Sequence, residues 1–474
     1  VVAQEQQRGP PQAGRRDGAS MSSEITKSTS APHANGRQAD HTLNPGADIN
    51  YQRFLECVHC GLCTATCPTY AELGDENDGP RGRIYLMRAV TDGRLELSAE
   101  VRQHLDLCLD CRACETACPS GVQYGRLIEP FRVGMEQMGM EQMRDDPQQA
   151  DDWFQRRILF GLFPYPSKMA RLLFPVRVAQ RTGLMWLLRH VGAMRLLPER
   201  LRQLTSMLPP AKRRGRRLPE ILPAVGRPRA RVAMFTGCVA DVFFRPTHWA
   251  TVRVLQQNGC DVLVPRTQAC CGAIHFHSGA SEPARQFADA NLAAFKIDEV
   301  DAVITNVAGC GAMLKDYGHH WHDELQPQRE HFAAKVKDIH EFLDELGPTA
   351  PTGEIKLKAT YHDACHLVHA QKIRSAPRKL LGLIPGLELC ELPESELCCG
   401  AAGTYNLTQP EMSQRLSRRK LQNILSTGAQ AVITANAGCI LQIAREARQQ
   451  RQHLPIYHPM DLLDLSYRGK KPRG

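Results

Sequence analysis

Eighteen cysteines lie in this 474-residue chain, and eight of them form two copies of one spacing. Cys57, Cys60, Cys63 and Cys67 stand as Cys-x2-Cys-x2-Cys-x3-Cys; Cys108, Cys111, Cys114 and Cys118 repeat the run, and Pro68 and Pro119 close the two. Three thiolates separated by two-residue gaps curl the backbone around a [4Fe–4S] cube and reach three of its irons. The fourth, beyond a longer gap and stiffened by proline, reaches the neighbouring cluster. The spacing therefore predicts two cubanes with crossed ligands: Cys57, Cys60, Cys63 and Cys118 on one, and Cys67, Cys108, Cys111 and Cys114 on the other. Zinc favours paired Cys-x2-Cys units and four ligands, which suits four-cysteine runs ending in proline poorly. Disulfides between such close neighbours would close strained loops. Clusters of this kind move one electron at a time, at potentials anywhere from about −700 to +450 mV depending on burial and hydrogen bonds to sulfur. His59, inside the first run, reads as a neighbour of the cluster rather than a ligand.

Eight further cysteines make a second duplicated pattern. Cys238, the pair Cys270-Cys271 before Gly272, and Cys310 form one set; Cys365, the pair Cys398-Cys399 before Gly400, and Cys439 form the other. Matching cysteines are 127, 128 and 129 residues apart, a near-constant offset that signals duplication of one unit. Each set could converge four thiols on one spot. Three readings stand: a metal centre (zinc or iron–sulfur), reactive thiols in an electron path, or packing cysteines. The glycine after each pair permits positive φ or close backbone approach. Cys260 and Cys390 read as ordinary strand cysteines. Of the nearby histidines His275, His277, His362, His366 and His369, only His362 and His366 flank the first cysteine of a repeat, and each reads as a satisfied polar residue. His340 and His458 read as helix-start residues.

These residues need elements to hold them. The segment joining the two runs breaks at Asp92-Gly93 into two short amphipathic helices. From about residue 230 short β-branched runs alternate with helices, which implies mainly parallel sheets with the cysteines on turns at strand ends. The expected organisation is a disordered tail over 1–48, rich in Gly, Gln, Ser, Pro and Asn, and a helical ferredoxin-like domain carrying two [4Fe–4S] clusters over 49–150. A basic amphipathic helical connector over 151–229 follows, then α/β repeats over 230–350 and 351–474. The fold class is thus mixed: a helical ferredoxin-like domain followed by two duplicated α/β units. Met21 is a candidate start of the functional chain.

Composition excludes several classes. With 42% hydrophobic and 23% charged residues the chain is neither wholly disordered nor fibrous. No run of about 18 apolar residues predicts a membrane span, and the first twenty residues lack the apolar core of a signal peptide. The expected compartment is therefore the reducing cytosol, where dense cysteine points to metal or redox centres. Between Phe154 and Ala230 stand 17 Lys/Arg against Glu199 and Glu220, a net +15 in a chain whose total is +9. Leu172, Leu173, Phe174, Met185, Trp186, Leu187 and Leu188 interleave with them. That pattern suits anionic lipid, an acidic partner or a solvated connector; no reading motif accompanies it, so nucleic acid is not expected. There is no G-x-G-x-x-G and no P-loop, and Gly309-Cys310-Gly311 lacks a third glycine. No Ser–His–Asp motif stands out. The chain shows no site for a flavin or dinucleotide, so the two-electron step on an organic substrate is expected on a partner.

The order of two ferredoxin-type runs and two Cys-Cys-Gly repeats resembles the iron–sulfur subunit of bacterial glycolate oxidase (glycolate dehydrogenase). The resemblance runs through CVHCGLCTATCPTY (57–70), GDENDGPRGRIYL (74–86), HLDLCLDCRACETACPSGVQY (104–124), ACCGAIHFH (269–277), LCCGAAGTYNLTQP (397–410) and VITANAGC (432–439). It covers roughly residues 50–465. It implies a complex in which FAD-binding subunits oxidise glycolate to glyoxylate while this chain, without catalytic residues of its own, passes electrons towards a membrane quinone. That would place it in the cytoplasm, peripheral on the inner face of the cell membrane. Iron–sulfur subunits for lactate or glycerol-3-phosphate and heterodisulfide reductase share the cluster motifs. Heterodisulfide reductase-type repeats end in Cys-x2-Cys, whereas Met313 and Gln442 stand here after Cys310 and Cys439. Losing those thiolates argues against a non-cubane cluster and against disulfide chemistry at the repeats.

Overall fold

The computed structural model describes residues 44–145, 154–196, 198–210 and 215–472. Of the expected disordered tail, only residues 44–48 fall within that range.

The first cysteine run leads into a helix opened by its proline, Pro68–Leu73. Pro80 then starts Pro80–Thr91, where the fixed φ suits the first helical turn. That helix stops at Asp92, and Gly93 follows at φ +68°, where the sequence predicts the break. Ala99–Asp106 begins where Ser98 accepts a hydrogen bond from the Val101 amide at 3.3 Å, the usual N-cap arrangement. The apolar faces of these helices meet the long helix Gly125–Asp145 around Phe54, Met87, Leu105, Leu127, Ile128 and Phe131, all fully buried. Each such side chain contributes about 1.5–3 kcal/mol by leaving water. This small core holds both cysteine runs on its surface.

Helices Pro166–Arg181, Leu184–His190 and Glu199–Met207 make up most of the described connector. Its final stretch does not stay helical: β1 (Ile221–Leu222) pairs antiparallel with a strand of the first repeat.

In the first repeat β2 (Ala230–Phe235), β3 (Cys260–Leu263), β4 (Ala302–Thr305) and β5 (Val336–Asp338) form a parallel sheet in the order β3-β2-β4-β5, with β1 outside β3. In the second, β6 (Leu357–Tyr361), β7 (Leu387–Cys390), β8 (Ala431–Ile433) and β9 (Ile456–Tyr457) run in the order β7-β6-β8-β9, again parallel. The two orders correspond strand for strand, so the duplication read from cysteine offsets is a duplication of topology. The fold is therefore the expected one: a helical cluster domain followed by two α/β units. Their cores are continuous, with Val232, Ile304 and Leu255 of one joining Ala359, Ile433 and Leu462 of the other. Arg253 clamps Asp464 with two bonds of 2.6 and 2.7 Å, fixing the C-terminal helix Pro459–Tyr467 onto the first repeat. Within these units Cys260 is fully buried in β3, and Cys390 in β7 donates to the Ala359 carbonyl at 3.3 Å. His458 caps its helix as expected, whereas Asp338 caps the helix that contains His340.

Candidate metal and cluster sites

The two ferredoxin-type runs share one backbone curl. The third and fifth residues of each run lie in the left-handed region: His59 (φ 54°) and Gly61 (φ 84°) in the first, Asp110 (φ 49°) and Arg112 (φ 57°) in the second. Left-handed turns between cysteines face successive thiols towards a common centre. Arg81 fastens the first curl by donating to the His59 carbonyl at 3.0 Å, and a Cβ on Gly61 would stand 2.6 Å from its guanidinium. Arg112, a non-glycine residue in this strained region, is held there by bonds to Glu129 (2.7 Å) and Asp316 (2.9 Å).

Cys118 lies near the thiols of the first run, and Cys67 near those of the second. Burial raises Cys57, and Cys118 and Cys60 act on it in the same direction; burial pushes Cys63 up to about 11, with Cys57 and Cys118 adding to it. These four neighbours lie at the surface, Cys60 exposed and the others partly buried. Cys67, Cys108, Cys111 and Cys114 line a small cavity with Arg83 and Tyr124. Burial pushes the Cys111 and Cys114 thiols well up. A buried thiolate is costly unless a cation compensates it, so this chamber suits sulfur bound to iron rather than free thiolate. It also has donors for sulfur: the Asp110 amide stands 3.4 Å from Cys108 Sγ, and the buried Arg83 guanidinium 4.0 Å from Cys67 Sγ. Burial opposes the charge on Arg83, but Cys108, Tyr124, Cys67 and Asp78 more than offset it.

The second set abuts the second repeat. Cys111 and Leu109 pack in one apolar cluster with Cys365, Cys398 and Tyr405, whose hydroxyl donates to the Leu107 carbonyl at 2.9 Å.

In the repeats the pairs Cys270-Cys271 and Cys398-Cys399 sit on turns, whereas Cys310 and Cys439 lie in the first turns of helices Ala308–Lys315 and Ala437–Gln449. Both post-cysteine glycines have positive φ, Gly272 at +86° and Gly400 at +82°. Cys238 and Cys270 are 3.3 Å apart, and Cys271 is hydrogen-bonded to Cys310. In the second repeat Cys365 and Cys398 are 4.0 Å apart, and Cys399 is hydrogen-bonded to Cys439. Hydrogen bonding from Cys399 is the chief reason the Cys439 thiol falls to about 5; burial opposes it, and His362 adds to it. A cavity of about 400 Å³ lies between the repeats and the second cubane set, lined by Cys108, Cys238, Cys270, Cys310, Cys365 and Cys439 among others, with Phe163 and Met207 of the connector.

Three features escape a reading of spacing alone. His277 meets Asp110 at 3.1 Å and Glu129 at 3.3 Å beside that cavity; burial opposes its charge, but these carboxylates raise it to about 9. Arg112 bridges the cluster domain to the first repeat. His362 places a ring nitrogen with the sulfurs of Cys399 and Cys439, all within 4.8 Å of one another. The one sequence signal for His362 is that it flanks Cys365 in one copy only.

On the connector, Leu172, Phe174, Val178, Leu184, Trp186, Leu187 and Val191 are exposed, Phe174 by 68% and Trp186 by 66%. Lys168, Arg171 and Arg181 are exposed beside them. No helix among the described residues is long and apolar enough to cross a membrane.

Comparison with known proteins agrees with this layout. Residues 53–122 match the family described as "4Fe-4S dicluster domain", residues 232–315 and 359–444 match "Cysteine-rich domain", and residues 150–208 match "Glycolate oxidase iron-sulfur subunit, linker region". The "Probable glycolate oxidase iron-sulfur subunit" of Bacillus subtilis (strain 168) is 40% identical over 82% of this chain and 88% of its own length. The "Glycolate oxidase iron-sulfur subunit" of Escherichia coli (strain K12) is 36% identical over 84% of this chain and 91% of its own. "Lactate utilization protein A" of Exiguobacterium sp. (strain ATCC BAA-1283 / AT1b) is 32% identical over 49% of this chain and 96% of its own.

Proposed function

The chain belongs to the family of glycolate oxidase iron–sulfur subunits, and from that membership we propose that it is the electron-transfer subunit of a flavin-dependent complex oxidising glycolate to glyoxylate. The observation that carries this reading is the sorting of eight cysteines into two neighbouring sets, Cys57, Cys60, Cys63 and Cys118 at the surface and Cys67, Cys108, Cys111 and Cys114 beneath. Bound there, [4Fe–4S] clusters supply a one-electron relay between a flavin and a distant acceptor.

The residues around each set give the relay a direction. Val58 and Leu62 are exposed by 67% and 61% beside Cys60, and Tyr85 by 54% nearby; such an apolar rim suits the docking of an FAD-binding partner. At the inner set, Leu109 and Tyr405 exclude water, while the Asp110 amide and Arg83 hold hydrogen-bond donors towards sulfur. The cavity beyond, lined also by Phe163 and Met207, is the proposed approach for a quinone-type acceptor. The exposed apolar and basic residues of 165–191 are the proposed contact with the anionic inner face of the cell membrane. The relatives named for lactate utilisation align with only half of the chain, which favours glycolate over lactate.

The test is to co-purify the chain with its flavoprotein partners and add glycolate anaerobically. Bleaching of cluster absorbance in the complex, but not in the isolated chain, is expected. Bleaching of the isolated chain by glycolate, or none in a flavin-loaded complex, would overturn the reading.

A further inference from the structure

The two ferredoxin-type sets have different surroundings. Gly82 lets the helix Pro80–Thr91 press against Glu76–Asp78, where a Cβ would run into the Glu76 carbonyl. The next residue, Arg83, is thereby turned inwards and is 1% exposed. Its guanidinium is fixed from two sides: Nε donates to the His104 carbonyl at 2.7 Å, and one terminal nitrogen donates to Asp78 at 3.4 Å. The other terminal nitrogen stands 4.0 Å from Cys67 Sγ. Tyr124, 3% exposed, lines the same cavity just before the helix Gly125–Asp145. Among the described residues its hydroxyl has no hydrogen-bond partner, a costly state for a buried phenol. Burial raises that phenol well above its ordinary range and Cys108 raises it further, so it keeps the proton it can donate.

The outer set lacks such an enclosure. Cys60 is exposed. Arg81, beside Cys63, is 34% exposed, and its guanidinium is engaged by Glu76 and the His59 carbonyl. Solvent and a carboxylate therefore damp its charge, whereas a buried charge is screened much less.

Reduction adds one negative charge to a four-thiolate cube. Burial alone makes that charge unfavourable, and would leave the inner cluster the harder of the two to reduce. A buried guanidinium and an O–H donor beside its sulfur act the other way, because both interact more strongly with the more negative form. We propose that Arg83 and Tyr124 raise the potential of the inner cluster above that of the outer one, so that an electron entering at the outer set comes to rest on the inner set. The proposal builds on the electron-transfer reading and names the residues that give the relay its direction.

The test is an anaerobic redox titration of the cluster-loaded, full-length chain, followed by its paramagnetic signals, with iron counted in each sample. Two separate one-electron waves are expected in the wild type. In Arg83→Met the higher wave should fall by at least tenfold in reduction equilibrium, about 59 mV, while the lower wave and the iron content stay unchanged. Arg83→Lys, which keeps the charge, should recover part of the shift. Should Arg83→Met fail to fold or to load, Tyr124→Phe decides, since it removes only the hydroxyl: the higher wave should fall at least threefold, about 28 mV. Coincident wild-type waves, waves that ignore both variants, or a fall confined to the lower wave would overturn the proposal and leave the relay intact. No wave at all would overturn both.

Discussion

Arg112 donates to Asp316 at 2.9 Å, tying the loop between Cys111 and Cys114 to the segment just beyond the helix that carries Cys310. The same guanidinium donates to the buried Glu129 at 2.7 Å, and Arg126 reaches Asp316 at 2.8 Å, so the link is a network of four charges. It fixes the inner cluster set against the first repeat at one residue that also shapes the cysteine curl.

Removing that cation leaves the buried Glu129 carboxylate without its 2.7 Å partner and Asp316 with Arg126 alone. Arg112→Ala should cost about 3–5 kcal/mol, as loss of one member of a buried ion pair does. Anaerobic denaturant unfolding of the cluster-loaded protein measures it; a change under 1 kcal/mol would mean that the network does not hold the interface.

The turn after the second cysteine pair is tight enough to predict a backbone effect. Gly400 has φ +82°, and a Cβ there would lie 2.7 Å from the Ser413 carbonyl oxygen. Gly428, at φ +64°, would place its Cβ in open space. Gly428→Ala should therefore cost about 1–2 kcal/mol, from left-handed strain alone, and Gly400→Ala clearly more. Equal effects in an unfolding comparison would contradict the close approach.

His248 gives a pH prediction whose sign follows from burial. It is fully enclosed, with Asn306 at 3.2 Å, and burial lowers it to about 4 from an ordinary 6.5. Below pH 6.5 the unfolded chain takes up a proton that the folded chain refuses, so stability falls between pH 6.5 and 4. The fall is at most about 3 kcal/mol for this residue. His248→Gln should flatten the loss measured by unfolding at pH 7 and pH 4.5; an unchanged slope would mean His248 charges freely when folded.

The connector surface predicts salt-sensitive attachment to lipid. Phe174→Glu with Trp186→Glu should weaken binding to phosphatidylserine vesicles at least 10-fold, and high salt should release the wild-type chain, since screening shortens electrostatic reach to about 3 Å at 1 M. Vesicle co-sedimentation reads both. Tight binding to neutral vesicles in high salt would point to hydrophobic anchoring instead.

Spacing alone made the two cluster-binding runs legible, because thiols two residues apart can only curl around something, and Cys118 lies near Cys57 and Cys63 while Cys67 lines one cavity with Cys108, Cys111 and Cys114. The duplicated offsets likewise announced one α/β unit used twice, and the glycines after each pair have the positive φ their type suggests. Short elements were harder to read. β1 is two residues and β5 three, too brief for a period to register, and β1 joins a sheet whose other strands begin only at Ala230. The placement of Cys310 and Cys439 in helical first turns was hidden because glycine and alanine around them carry no periodic signal. His362 was unreadable for a different reason. Its orientation depends on which carbonyl its Nδ1 meets, and Ser395 lies 33 residues away.

The relay rests on iron and sulfide in the eight ferredoxin-type cysteines, so analysis of anaerobically purified chain tests it most directly. About eight irons and eight acid-labile sulfides per chain, with a paramagnetic signal after dithionite reduction, are expected. Protein that holds no sulfide and stays silent on reduction would contradict the account.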